Sequence, residues 1–282
     1  MSHDHETIDN GLRKRLCDGR VLCIALDRPE DRNCIIPGML DRLLSWLEDA
    51  QHDPSVGTIL LTGSGEHFCA GGSMQSLSAS ADFPRTLEER CDRARSVSRI
   101  ATLLSEGAKP SVAMLRGAVA GGGLAIAAAC DMRIASPTLR LSFAYSRIGL
   151  SGDVGAILAL TRLLGPGRIR QFALLSPVLD AEAASAAGLV DRLVGDADLE
   201  GEAFILARRL GEIAPQAVAA IKQNIAAALA LSPEDALAVE AENFARCQMH
   251  RDHAEAIRAF VEKRTPRFDG SEAVATAKWP QA

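Results

Sequence analysis

The sequence predicts an α/β fold that closes in a purely helical region. Three observations lead there. Strand-like apolar runs alternate with helical patterns as far as Val194. Beyond Val194 the strand-like runs stop. Two of the strands run into glycine-rich turns, one ending at Gly71-Gly72 and one at Gly121–Gly123. Alternation of this kind sets buried strands against covering helices.

Met1–Thr7 is polar and lacks the apolar core of a signal peptide, so residues 1–17 are read as a disordered lead and a cytoplasmic location is expected. The first strand is Val21–Leu26, and the first helix is Pro37–Gln51. Thr58–Thr62 is the second strand. The charged stretch Pro84–Arg99, largely within a helix over Leu87–Ser105, reads as a solvated face. Ser111–Leu115 is a buried strand. After its glycines, Gly123–Cys130 is rich in good helix formers. Met132–Ala135, a helix at Val154–Leu164 and a last strand at Leu189–Val194 complete the alternating part, residues 18–200. Glu202–Ile213, Gln216–Leu229 and Pro233–Lys263 then read as helices within residues 201–268. Ser232 is an N-cap before an N1 proline. Residues 269–282 read as a tail.

Composition narrows the function. A chain of 282 residues that is 48% hydrophobic can bury a sizeable core. A net charge of −5 argues against a general nucleic-acid binder. No apolar stretch reaches the length of a membrane span, about 18 residues. The seven cysteines form no Cys-x-x-Cys pair, and most sit in apolar runs, which suits reduced thiols filling a core. His3/His5 and His250/His253 have no supporting cysteine, so no metal site is expected. Gly149–Asp153 approaches the G-x-S-x-G pattern, but Asp153 stands where its last glycine belongs. Gly121–Gly123 fails the dinucleotide spacing, because Ile126 occupies the third glycine position.

What the glycine turns offer is hydrogen-bond donors. A bare turn at a helix N-terminus exposes backbone N–H groups at the positive end of the helix dipole. Two such turns, about 50 residues apart, can aim two N–H groups at one carbonyl oxygen.

The order of segments Leu26–Asn33, Phe68–Gly72, Arg116–Gly123, Cys130–Ala135, Arg147–Leu150, Ala187–Asp191 and Phe260–Phe268 resembles the crotonase superfamily, the enoyl-CoA hydratase/isomerase family. The resemblance spans roughly residues 18–268. It implies a crotonase-like spiral of ββα units, and a C-terminal helical region that builds homotrimers, often paired into hexamers. It implies an acyl-CoA thioester as substrate, with coenzyme A entering as part of it and no tightly bound cofactor. The thioester oxygen would be held by the backbone N–H groups of Gly72 and Gly122.

The resemblance also exposes a departure. Hydratases of the family use two glutamates, and their positions fall on Ala125 and Arg147. The acid that remains is Asp153, at a position where several family members carry a catalytic aspartate. A plain N-cap for the following helix is the other reading of Asp153. Tyr145, the single tyrosine, either lines the acyl pocket or sits in the core; Arg147 is a surface ion-pair residue or a pocket charge. For coenzyme A, the resemblance points to Arg28 and Arg32 for phosphates. It sets His67, Phe68, Ala70, Ser73 and Met74 along the adenine and pantetheine path, and Phe260 and Lys263 as contributions from a neighbouring subunit.

The expected activity is isomerisation of an unsaturated acyl-CoA by one carboxylate acting through an enolate. An atypical hydratase, lyase or hydrolase using Asp153 and water is the alternative. A catalytically reduced CoA-binding protein is a third reading, from a different class.

Overall fold

The computed structural model describes residues 6–81 and 86–268. Its strands are β1 (Thr7–Asp9), β2 (Leu12–Cys17), β3 (Val21–Leu26), β4 (Thr58–Gly63), β5 (Ser111–Leu115), β6 (Ala118–Ala120), β7 (Met132–Ala135), β8 (Arg140–Ser142), β9 (Leu179–Asp180) and β10 (Arg192–Leu193). Its helices are α1 (Met39–His52), α2 (Met74–Ala81), α3 (Leu87–Glu106), α4 (Gly122–Ala129), α5 (Ala156–Leu175), α6 (Ala181–Ala186), α7 (Leu199–Gly211), α8 (Pro215–Ala230), α9 (Pro233–Met249) and α10 (Arg251–Glu262).

The seven-stranded sheet runs β1-β2-β3-β4-β5-β7-β10. It is antiparallel through β3 and parallel from β3 to β10. A small second sheet, β6-β8-β9, lies beyond the end of β5. Alternation along the parallel strands gives the main sheet two apolar faces, as strands covered on both sides require. Leu22, Ile24, Leu26, Ile59, Leu61, Ala113 and Leu115 face the main core with α1, α3 and α4. Val21, Leu60, Val112, Met114 and Ile134 face the other way and receive Leu199, Ala203 and Ala207 of α7.

The lead is a correction. Residues 7–17 are not disordered: they form β1 and β2, and β2 pairs with β3 over its full length. The basic run Arg13-Lys14-Arg15 hides this strand in the sequence, since Leu12 alone in β2 is fully buried. Residues 1–5 and the tail 269–282 lie outside the described residues. The helix expected at Val154–Leu164 begins at Ala156 and continues to Leu175, bending where Gly165 takes φ 72° before Pro166. The long C-terminal helix is two, α9 and α10. His250 leaves helical geometry between them, and its Nδ1 accepts the Asp252 N–H at 3.2 Å.

One buried cation fastens the C-terminal helices to the sheet. Lys222 on α8 donates to Leu104 O (2.7 Å), Lys109 O (3.0 Å) and Asp131 Oδ2 (2.7 Å). Asp131 in turn accepts from the backbone N–H and hydroxyl of Ser111, at the start of β5. Beyond this anchor, Ile221, Ile225, Leu229, Phe244, Met249 and Phe260 leave large apolar side chains exposed on α8–α10. No helix among the described residues is long and apolar enough to cross a membrane.

Candidate active site

The first glycine turn belongs to an extended strap, Phe68–Ser73, held on both sides. On one side Phe68 N–H donates to Arg116 O (2.9 Å), Cys69 N–H to Ala118 O (3.0 Å) and Ala120 N–H to Cys69 O (2.9 Å). On the other, Ala70 N–H donates to Arg32 O (3.0 Å), Ile35 N–H to Gly71 O (2.8 Å) and Ser73 N–H to Ile35 O (2.9 Å). The last two bonds bracket Gly72 in a parallel bridge with Ile35. A residue bracketed in this way turns its own N–H and C=O to the opposite side. Asn33 secures the approach to the strap. It is fully buried, its Oδ1 accepts Arg28 N–H (2.8 Å), and its Nδ2 donates to Ser64 O (2.9 Å) and His67 O (2.6 Å).

The second turn meets the first backbone to backbone. Gly71, with φ 99°, leaves room for Ala120 O only 3.1 Å from where a Cβ would stand, and for Gly121 Cα at 3.7 Å. Ile35, which pairs with Gly72, also puts its Cδ1 2.7 Å from the Cβ position of Gly122. Gly122 is the first residue of α4, so its N–H has no intrahelical acceptor. Among the described residues, neither Gly72 N–H nor Gly122 N–H donates to a protein acceptor. Two unsatisfied donors therefore sit on adjoining turns, the arrangement that receives a carbonyl oxygen gaining charge.

Tyr145 opens a short 3-10 turn, Tyr145–Ile148. Its ring is buried and packs on Phe143, with centroids 5.0 Å apart and planes tilted by 58°. Its hydroxyl lies 3.8 Å from the Cβ position of Gly122 and donates to Asp153 Oδ1 at 2.5 Å. Burial first, and the Asp153 charge second, push the phenol above its ordinary range, so it stays a donor. Asp153 is exposed. Its carboxylate does not cap α5: the N-cap residue is Gly155, and Asp153 contributes only its carbonyl, to Ala156 N–H at 2.9 Å. Buried Val154 holds the loop there in the left-handed region, φ 51°, a costly conformation for a β-branched residue.

The two positions where the family resemblance puts glutamates carry no carboxylate. Ala125 is fully buried in α4. Arg147 points its guanidinium back to the carbonyl of Ser176, at 2.5 Å. Ser176 ends α5 and accepts Ala144 N–H on its Oγ at 2.8 Å, so it positions the segment that carries Tyr145. Arg147 is exposed, and the Ser176 carbonyl holds its guanidinium. Asn33, Ile35 and Ser176 were not singled out from the sequence. Each acts through long-range contacts that no local pattern encodes.

The coenzyme A candidates disperse. Phe68 is a correction, because its ring is fully buried in the main core and no ligand side of the strap presents it. His67 accepts Ala118 N–H on Nδ1 (3.1 Å) and lines a cavity of about 1180 Å³ on the α7 side of the sheet. Arg28 is ion-paired with Asp31. Arg32 is exposed, Ala70 is half-buried, and both remain beside the strap. Ser73 Oγ accepts Ser76 N–H (3.4 Å) at the start of α2, and Met74 beside it is exposed. Phe260 and Lys263 are exposed at the end of α10. No cluster of three or more potential metal ligands occurs among the described residues.

Residues 17–271 match the model of a family described as Enoyl-CoA hydratase/isomerase. The chain is 30% identical to a short-chain-enoyl-CoA hydratase of Clostridium acetobutylicum, over 88% of this chain and 93% of that protein. It is also 30% identical to a 1,2-epoxyphenylacetyl-CoA isomerase of Escherichia coli, over 89% of this chain and 95% of that protein. In structure it is similar to an enoyl-CoA hydratase from Polaromonas, with a TM-score of 0.83, 30% identity and coverage of 91% and 99% of the two chains.

Proposed function

Because the chain belongs to the enoyl-CoA hydratase/isomerase family, we propose that it isomerises an unsaturated acyl-CoA, with Asp153 as the single acid/base. The observation that carries this reading is the pairing of Tyr145 and Asp153 beside Gly122, where the hydratase positions hold Ala125 and Arg147 and no carboxylate. The thioester carbonyl accepts from Gly72 and Gly122 N–H. Charge that builds on its oxygen as an enolate forms meets donors already in place. Tyr145 occupies Oδ1 of Asp153 and leaves Oδ2 to take a proton from one carbon of the acyl chain. The same oxygen returns it two carbons along, so one carboxylate completes the cycle. Coenzyme A is part of the substrate, and no other cofactor takes part.

The apolar side chains on α8–α10 support assembly as a homotrimer or a dimer of trimers. Sedimentation as a monomer at micromolar concentration would remove that part of the proposal.

A second reading, an atypical hydratase in which Asp153 directs a water, is favoured by the name of the Clostridium relative. The test is incubation of a panel of 2- and 3-enoyl-CoA thioesters in deuterated buffer. Isomerisation gives a shifted double bond with deuterium in the chain and no added oxygen. A 3-hydroxyacyl product would establish the hydratase instead. Binding with neither exchange nor product would mark a protein that only holds CoA thioesters.

A further inference from the structure

We propose that Cys17 and Cys23 form a redox-active dithiol that a hydroperoxide converts to an intramolecular disulfide, on the floor of the cavity that faces α7. The pairing of β2 with β3 sets Cys17 opposite Val21 and Cys23 opposite Arg15. Residues in register share a face, so both thiols stand on the Val21 side of the sheet, away from α4. Their sulfurs are 3.1 Å apart, and neither is in a disulfide. Both line the cavity of about 1180 Å³, together with Arg15, Asp18 and Arg116, so a small oxidant reaches them from solvent.

Thiolate character decides which cysteine reacts. We assign Cys17, at the end of β2, as the attacking sulfur and Cys23, whose thiol is pushed up by contact with Cys17 first and burial second, as the resolving one. Cys69 and Cys130 are poor competitors: both are buried, and burial pushes each thiol up to about 12. In the first step the Cys17 thiolate attacks one peroxide oxygen. The O–O bond breaks, the departing oxygen leaves after protonation as water from hydrogen peroxide or as an alcohol from an organic hydroperoxide, and Cys17 becomes a sulfenic acid. In the second step the Cys23 thiolate attacks that sulfur, the S–O bond breaks and water leaves. Two thiols are oxidised by two electrons, and one hydroperoxide is reduced. A disulfide is about 2.05 Å long, so the sulfurs must approach by about 1 Å. The chain between them is the turn Asp18–Arg20, whose Gly19 and Arg20 take left-handed φ values of 74° and 64°, followed by Val21 and Leu22 of β3.

The test uses the full chain and hydrogen peroxide. After oxidation the remaining thiols are alkylated, and the protein is digested with trypsin without reductant. Cleavage after Arg20 puts the two cysteines on separate peptides, so mass spectrometry reads the bond directly. The expected result is one crosslink joining the Cys17 and Cys23 peptides within a single chain, reversed by dithiothreitol. In Cys23→Ser, dimedone should trap a sulfenic acid at Cys17. The proposal is overturned if both thiols remain fully alkylatable after peroxide, if the crosslink joins other cysteines, or if it joins two chains. The wild-type readout does not depend on how the variants fold, nor on the acyl-CoA reaction.

Discussion

The Tyr145 hydroxyl donates to Asp153 Oδ1 at 2.5 Å while standing 3.8 Å from the point where a side chain on Gly122 would begin. One buried phenol thus links the proposed base to the proposed oxyanion donor. In the proposed mechanism this link leaves Oδ2 of the carboxylate as the reacting oxygen and sets the acid beside Gly122. Neither relation requires a second carboxylate. That is consistent with Ala125 and Arg147 at the positions where two-acid chemistry would need glutamates.

Tyr145 is the only tyrosine, so alkaline titration of tyrosinate absorbance reports it alone. An ordinary tyrosine ionises near about pH 10. Burial and the Asp153 charge raise this one. A raised native value means that the fold favours the protonated phenol. The stability this contributes is full below the unfolded value and is lost as pH climbs past it. Native protein should therefore show no reversible tyrosinate at the ordinary midpoint, and Asp153→Asn should lower the onset. A reversible transition near the ordinary value in folded protein would contradict the burial described for Tyr145.

Gly122→Pro removes one donor, and its ring also makes Ile35 Cδ1, 2.7 Å from the Cβ position, give way. Gly122 opens α4, and the first helical position tolerates proline while losing its N–H. Removing one oxyanion donor typically costs about 10²–10³ in kcat. Turnover should fall by that order, with helical circular dichroism retained. Wild-type turnover in the folded variant would show that Gly122 N–H does not meet the substrate.

Gly123→Ala and Gly201→Ala separate packing from helix propensity. A Cβ on Gly123 would stand 2.6 Å from both Cβ and O of Cys69, neither of which is the end of a flexible side chain. Overpacking of this kind costs about 1–3 kcal/mol. A Cβ on Gly201, exposed in α7, meets nothing within 4 Å, and alanine there should stabilise by about 0.5–1 kcal/mol. Urea midpoints should move in opposite directions. Equal shifts would mean that the strap does not press on α4 as described.

Much of this site was legible because glycine leaves a mark in sequence. The two turns, the apolar strands before them and the alternation of strands with helices all follow from local periodicity. Asp153 and Tyr145 were visible as candidates, but their mutual hydrogen bond was not, since it depends on a left-handed Val154 and on the Ser176 contacts to Ala144 and Arg147. The β2 strand was hidden because its run of basic residues carries no apolar alternation, and pairing with β3 supplies what its own side chains do not. Phe68 misled for the opposite reason. A phenylalanine in a ligand-binding motif looks like a contact, yet parity along the strap sends its ring into the core.

Asp153→Asn decides the proposed mechanism. The amide keeps the size of the side chain, and its oxygen can still accept from Tyr145. Asp153 is exposed and does not cap α5 through its side chain, so the change removes a base without removing a helix cap. Thermal stability should change little, since exposed substitutions of this kind usually stay within about 0.5 kcal/mol. General acid–base participation is worth about 10²–10⁴-fold, so turnover should fall by at least the lower figure. Deuterium exchange at the α carbon of a bound acyl-CoA should fall in parallel, which separates lost proton transfer from slow product release. A folded Asp153→Asn enzyme with normal turnover and normal exchange would eliminate Asp153 as the base.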